Sequence, residues 1–139
     1  MNKPIHYLFT EKYRPTTLDG YIGNPIFTKD LKKWIEDGEI PHMILCGIPG
    51  TGKTTAAKLI VYNIDCDWLY INASDENGID TIREKVRSFA SSASFKPLKV
   101  IILDESDFLT PNAQAALRNI IETYSLNTRF IFTCNYYEK

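Results

Sequence analysis

The chain has 139 residues, enough for one domain of ordinary size with a buried core. Its 44% hydrophobic and 24% charged residues are those of a soluble globular protein, and a net charge of −1, from 16 basic and 17 acidic residues, argues against a polybasic nucleic-acid arm. No apolar run approaches a membrane span and the first residues carry no secretory pattern, so the expected compartment is the cytoplasm and no membrane partner is expected.

In chain order, Pro15 biases Arg14 away from helical geometry and makes 11–15 an extended segment. A helix is predicted over 28–37, capped by Thr28, striped by Leu31, Trp34 and Ile35, and ended by Gly38. The apolar run 43–46 reads as a strand before a glycine-rich loop, and 54–63 as the helix after it. A second strand is predicted at 68–71. Ile79, Ile82, Val86 and Phe89 recur at helical spacing, and 100–103 forms a third strand. Thr110-Pro111 is a strong helix start, followed by the stripe Leu117, Ile120, Ile121 and Tyr124; a fourth strand covers 130–134. Apolar strands alternating with amphipathic helices predict an α/β fold with a parallel sheet flanked by helices, and ligands at the carboxyl ends of its strands. Cys46, Cys66 and Cys134 lack CxxC spacing and read as reduced thiols in or near strands.

The chemistry clusters at those strand ends. Gly47-Ile48-Pro49-Gly50-Thr51-Gly52-Lys53-Thr54 has the phosphate-loop pattern, between the strand and the helix that it requires. Gly50 and Gly52 let successive N–H groups point at phosphate oxygens. Lys53 is expected to reach the β/γ-phosphates and Thr54 to ligate Mg²⁺. Gly47, Pro49, Thr51 and Thr55 complete the expected nucleotide-binding set. Asp104, at the end of the third strand, is the second expected metal residue, and Glu105 beside it the group that polarises an attacking water. The bland alternative is an acidic, solvated loop. Asn135 ends the fourth strand, where an isolated Asn is ordinarily a turn residue. Arg83 and Arg87, with Lys85 and Lys96 nearby, either pair with Asp80 and Glu84 on a solvated face or contact a nucleic-acid backbone.

Taken together these blocks resemble the N-terminal ATPase domain of sliding-clamp loader small subunits (replication factor C type) of the AAA+ superfamily. The resemblance rests on 11–15 (Glu-Lys-Tyr-Arg-Pro), 22–24 (Ile-Gly-Asn), 41–45 (Pro-His-Met-Ile-Leu) and the phosphate loop. It continues through 72–80 (Asn-Ala-Ser-Asp-Glu-Asn-Gly-Ile-Asp), 104–107, 113–118 and 133–135 (Thr-Cys-Asn). The stretch 88–95 is similar to tailed-phage clamp loaders, which would place the protein in a host cytoplasm. The resemblance implies an ATP- and Mg²⁺-dependent ATPase that opens a sliding clamp and loads it on primer–template DNA. It would work in a hetero- or homo-oligomeric spiral with other loader subunits. It also implies that Tyr13, Arg14 and Pro15 lie near the adenine and that Asn135 senses the γ-phosphate, acting in catalysis with Glu105 and Lys53. Asn72 or Ser74 would restrain Glu105 until DNA binds, Arg118 would couple neighbouring sites, and Arg83, Arg87 and Lys96 would track DNA.

The chain departs from that family at Ser106, where relatives often carry an apolar residue, and after Asn135. Relatives continue to a Ser-Arg-Cys motif with a trans-acting arginine finger, a fifth strand, a lid and a collar. The expectation is an incomplete AAA+ domain over 1–139, with 1–40 an extended segment and helix and 41–139 the P-loop αβα core. In the family's sheet order, 5-1-4-3-2, strand 43–46 is left as an exposed edge. An arginine finger is worth ~10³–10⁵ in turnover, so these residues alone are expected to hydrolyse ATP weakly or not at all. Two other readings stay open: a non-hydrolysing nucleotide-binding scaffold subunit, and another AAA+ DNA motor such as a branch-migration helicase.

Overall fold

In the computed structural model, residues 25–47, 52–74 and 79–135 are described. Four apolar runs form β1 (Met43–Cys46), β2 (Cys66–Asn72), β3 (Leu98–Asp104) and β4 (Thr128–Cys134), all paired in parallel in the order β1-β4-β3-β2. The connecting helices are α1 (Pro25–Asp37), α2 (Lys53–Asn63), α3 (Ile79–Ser91) and α4 (Pro111–Tyr124), with a 3₁₀ turn at Ser106–Phe108. This is the expected α/β architecture, and the order matches the one expected for a sheet without its fifth strand.

Each strand sends alternate residues to opposite faces, so the sheet separates two cores. Val100, Ile102 and Ile131 pack with Leu31 of α1 and with Ala57, Leu59, Ile60 and Val61 of α2. Ile101, Leu103 and Phe130 pack with Ile82 and Val86 of α3 and with Ala113, Leu117 and Ile120 of α4. Burying each of these Leu, Ile, Val and Phe side chains contributes ~1.5–3 kcal/mol. Every residue of β3 is buried, because it lies between two strands and beneath helices on both faces. β1 instead lies at the edge, with Ile44 66% exposed.

Four element starts correct the sequence reading. α1 begins at Pro25 rather than Thr28, since proline is preorganised for the first helical position. Its end is as expected: Gly38 adopts φ +71° and its N–H donates to Trp34 O at 2.9 Å. β2, β3 and β4 start about two residues earlier than their apolar runs, at polar positions that the parallel ladder still pairs, such as Asp67 with Lys99 and Lys99 with Thr128.

Candidate nucleotide and metal site

The carboxyl ends of β1, β3 and β4 meet at one rim, and the candidate site is built there. Gly47 leaves β1 with its N–H donating to Cys134 O at 3.2 Å, so the loop departs still tied to β4. Positions 48–51 lie outside the described residues, and with them the roles expected of Pro49, Gly50 and Thr51. So do Tyr13, Arg14 and Pro15. Gly52 closes the loop at φ 84°, ψ 19°, a left-handed geometry that glycine adopts without strain. No side chain caps α2, so its first N–H groups, together with the helix dipole, suit an anion at this end.

Lys53 and Thr54 open α2 and both reach across the sheet. Lys53 Nζ donates to Gly47 O at 2.6 Å and to Asn135 Oδ1 at 3.0 Å, so the phosphate-loop lysine and the expected sensor amide are direct neighbours. Thr54 Oγ1 donates to Asp104 Oδ1 at 2.9 Å. With its one proton committed to Asp104, the Thr54 hydroxyl keeps its lone pairs for a cation. A hydroxyl and a carboxylate are hard oxygen donors of the kind Mg²⁺ takes. Thr55 is half-buried in the same helical turn.

Asp104 is 6% exposed, and its carboxylate is held from three sides. Thr54 and Thr133 both donate to Oδ1, and Tyr70 OH donates to Oδ2 at 2.6 Å. Glu105, next in the chain, has φ 55° and ψ 48°, the only positive φ outside glycine among the described residues. Its backbone N–H donates to Thr133 Oγ1 at 3.0 Å, and its side chain is exposed at the rim. Beside it, burial and the neighbouring Cys46 thiol push the Cys134 thiol up to about 11. All three cysteines are free thiols.

The remaining expected positions make contacts of their own. Asn72 Oδ1 accepts from Ser74 N at 3.0 Å and from Ser74 Oγ at 2.7 Å, so the two residues bond each other. Arg83 pairs with Asp80, Arg87 with Glu84 at 3.7 Å, and Lys96 with Asp65 at 3.5 Å, which is the solvated ion-pair face. Arg118 is exposed on α4. Thr133 and Tyr70 were not singled out from sequence. Thr133 carried a signal, a lone hydroxyl within the buried run Phe-Ile-Phe-Thr-Cys, since buried polar groups nearly always have partners. Tyr70 carried none, because its partner lies 34 residues away.

A parallel sheet flanked by helices, with the glycine-rich sequence 47–54 between β1 and α2 and a helix hydroxyl on a strand-end aspartate, matches a P-loop core. Residues 43–139 match the AAA family, described as "ATPase family associated with various cellular activities", and the chain belongs to that family. It is similar to the Replication factor C small subunit of Saccharolobus solfataricus, 47% identical over 95% of this chain, and to those of Sulfurisphaera tokodaii and Archaeoglobus fulgidus, at 45% and 46%. The chain spans less than half of these relatives, 42% of the first. All three are archaeal proteins, and they lend no support to the tailed-phage type expected from residues 88–95. Among solved structures, the Holliday junction branch migration motor RuvB of Thermotoga maritima superposes with a TM-score of 0.67 at 22% identity, over 87% of this chain and 41% of that one. At that identity the likeness concerns the fold. No helix among the described residues is long and apolar enough to cross a membrane.

Proposed function

We propose that this chain is the ATP-binding part of a sliding-clamp loader small subunit, which binds Mg²⁺–ATP and hydrolyses it in an assembly with other loader subunits, a clamp and primer–template DNA. The convergence of Lys53 on Asn135 and of Thr54 on Asp104, across 82 and 50 residues of sequence, carries the nucleotide-binding half of this reading. The similarity to Replication factor C small subunits carries the other half.

Bound Mg²⁺–ATP would supply the electrophilic γ-phosphoryl group and the cation that neutralises charge developing on it. The chain's own residues do the rest. Lys53 offers its ammonium to phosphate oxygens, and Thr54 and Asp104 hold the metal side. Asn135, already bonded to Lys53, orients groups at the γ position, and Glu105 takes the proton of an attacking water. Tyr13, Arg14 and Pro15 are proposed for the adenine end, with Gly47, Pro49, Gly50, Thr51, Gly52 and Thr55 around the phosphates. Arg83, Arg87 and Lys96 are proposed to exchange their exposed carboxylate partners for DNA phosphates, since such surface pairs are weak.

The test is ATP turnover by the full-length protein in its assembly, with and without a clamp and primed DNA. Stimulation by both is expected. Stimulation by a four-way junction instead would favour the branch-migration reading. Glu105→Gln should lower kcat by ~10²–10⁴ while nucleotide binding persists. Clamp loading untouched by that change would favour the non-hydrolysing scaffold.

A further inference from the structure

Thr133 lies on β4, one position past Phe132, the last residue that the ladder pairs with β3. It is 1% exposed, in a strand segment that is otherwise apolar from Phe130 to Cys134. Valine has nearly the same shape, so packing alone does not require a hydroxyl here. A buried hydroxyl carries a desolvation cost that only hydrogen bonds offset. Both of its bonds go to the acidic pair: the proton to Asp104 Oδ1, a lone pair to the N–H of Glu105 at 3.0 Å. One side chain thus bridges the candidate metal carboxylate and the candidate water-activating residue.

The second bond falls where the backbone needs support. Glu105 occupies the left-handed region, which costs a residue with a side chain and persists only where its surroundings enforce it. The turn also directs the chain into the Ser106–Phe108 3₁₀ segment, which Glu105 O accepts from through Phe108 N at 3.1 Å. The Thr133 hydroxyl fixes the preceding half of that turn. It does so from the strand that ends at Cys134, just before Asn135, the partner of Lys53. The ends of β3 and β4 are therefore registered through this hydroxyl as well as through their ladder.

We propose that Thr133 is a positioning residue of the hydrolytic site. It holds Asp104 in the orientation that serves the metal and Glu105 in the left-handed turn that presents its carboxylate at the rim. The proposal rests on the reading of Asp104 and Glu105 given under Proposed function.

The test compares Thr133→Val and Thr133→Ser with wild type in the full-length protein and its assembly. Affinity for a fluorescent ATP analogue is measured with Mg²⁺ and with chelator, alongside ATP turnover and thermal unfolding. Wild type should bind more tightly with Mg²⁺. Thr133→Val should lose ~10–100-fold of that Mg²⁺-dependent gain and of kcat, the usual effect of removing a residue that orients a metal ligand. Chelator-state affinity should stay within about threefold, and Thr133→Ser, which keeps the hydroxyl, should recover both losses. If Thr133→Val folds poorly, Thr133→Ala replaces it with the same expectation. A hydroxyl-free variant that matches wild type in Mg²⁺ gain and kcat overturns the proposal, even if it melts earlier. So does a serine variant that recovers nothing. A wild type with no Mg²⁺-dependent gain overturns the reading of the site itself, and the proposal with it.

Discussion

His42 works at the opposite end of the sheet from the nucleotide rim. Its Nδ1 accepts the backbone N–H of Phe130 at 3.1 Å, and its ring lies 5.8 Å from that of Phe130. Burial and the nearby Arg129 guanidinium lower its pKa from 6.5. The folded protein therefore binds fewer protons here than the unfolded chain. The resulting stability is complete above about pH 6.5 and is lost as pH falls through the lowered value. The ring is partly exposed, so the effect is modest. Urea midpoints should fall between pH 7.5 and pH 5.5, and His42→Asn, which keeps an acceptor, should fall less. At this same scale the site residues differ in legibility. Lys53, Thr54, Asp104 and Glu105 announce themselves because each sits in a short pattern with a mechanism. Asn135 needed the family resemblance. Asn72 bonds Ser74, two residues on, which offers it both N–H and hydroxyl, the local side-chain-to-backbone pattern that Asn favours.

The helices show which terminal signals are decisive. α4 begins where Thr110-Pro111 predicts it, with Thr110 Oγ1 accepting Ala113 N–H at 3.1 Å. α3 ends through a side chain that no local pattern announces. Lys99, 2% exposed in β3, donates from Nζ to Phe89 O at 2.8 Å, to Ala90 O at 3.3 Å and to Ser92 O. A cation at the carbonyl end of a helix also opposes the helix dipole favourably. A charge at that position looks like the end of a strand when read from sequence, which is why the apolar run 100–103 understated β3. Lys99→Met removes this donor from Ala90 O and Ser92 O, while Phe89 O keeps the Ser92 N–H and hydroxyl, and should cost ~1–3 kcal/mol of unfolding free energy, measured by chemical denaturation. Nucleotide affinity, set at the far end of the same strand, should change little.

Across the whole molecule, the asymmetry of the sheet is the main physical fact. β3 is enclosed, while β1 is paired on one side with β4 and leaves Ile44 and Cys46 exposed. A cleft of about 300 Å³ beside it is lined by Ile44, Leu117, Ile121 and Phe132. Exposed apolar strand edges pair with other chains, and lysine is a common natural remedy. A protein of residues 1–139 should therefore self-associate at micromolar concentration, and Ile44→Lys should shift it toward monomer in sedimentation. The edge position was legible from the family's strand order alone. The two-core arrangement was legible more generally, from the alternation of strands and helices.

The pairing of β1 with β4 also sets a clock. The contact between His42 and Phe130 spans 88 residues of sequence. At a ribosomal pace of 5–20 residues per second, the first strand waits ~4–18 s for its only neighbour among the described residues to be made. During that interval Asn135 and Thr133 do not yet exist to meet Lys53 and Asp104. The apolar strand 43–46 is therefore a segment of the nascent chain for which a chaperone would compete.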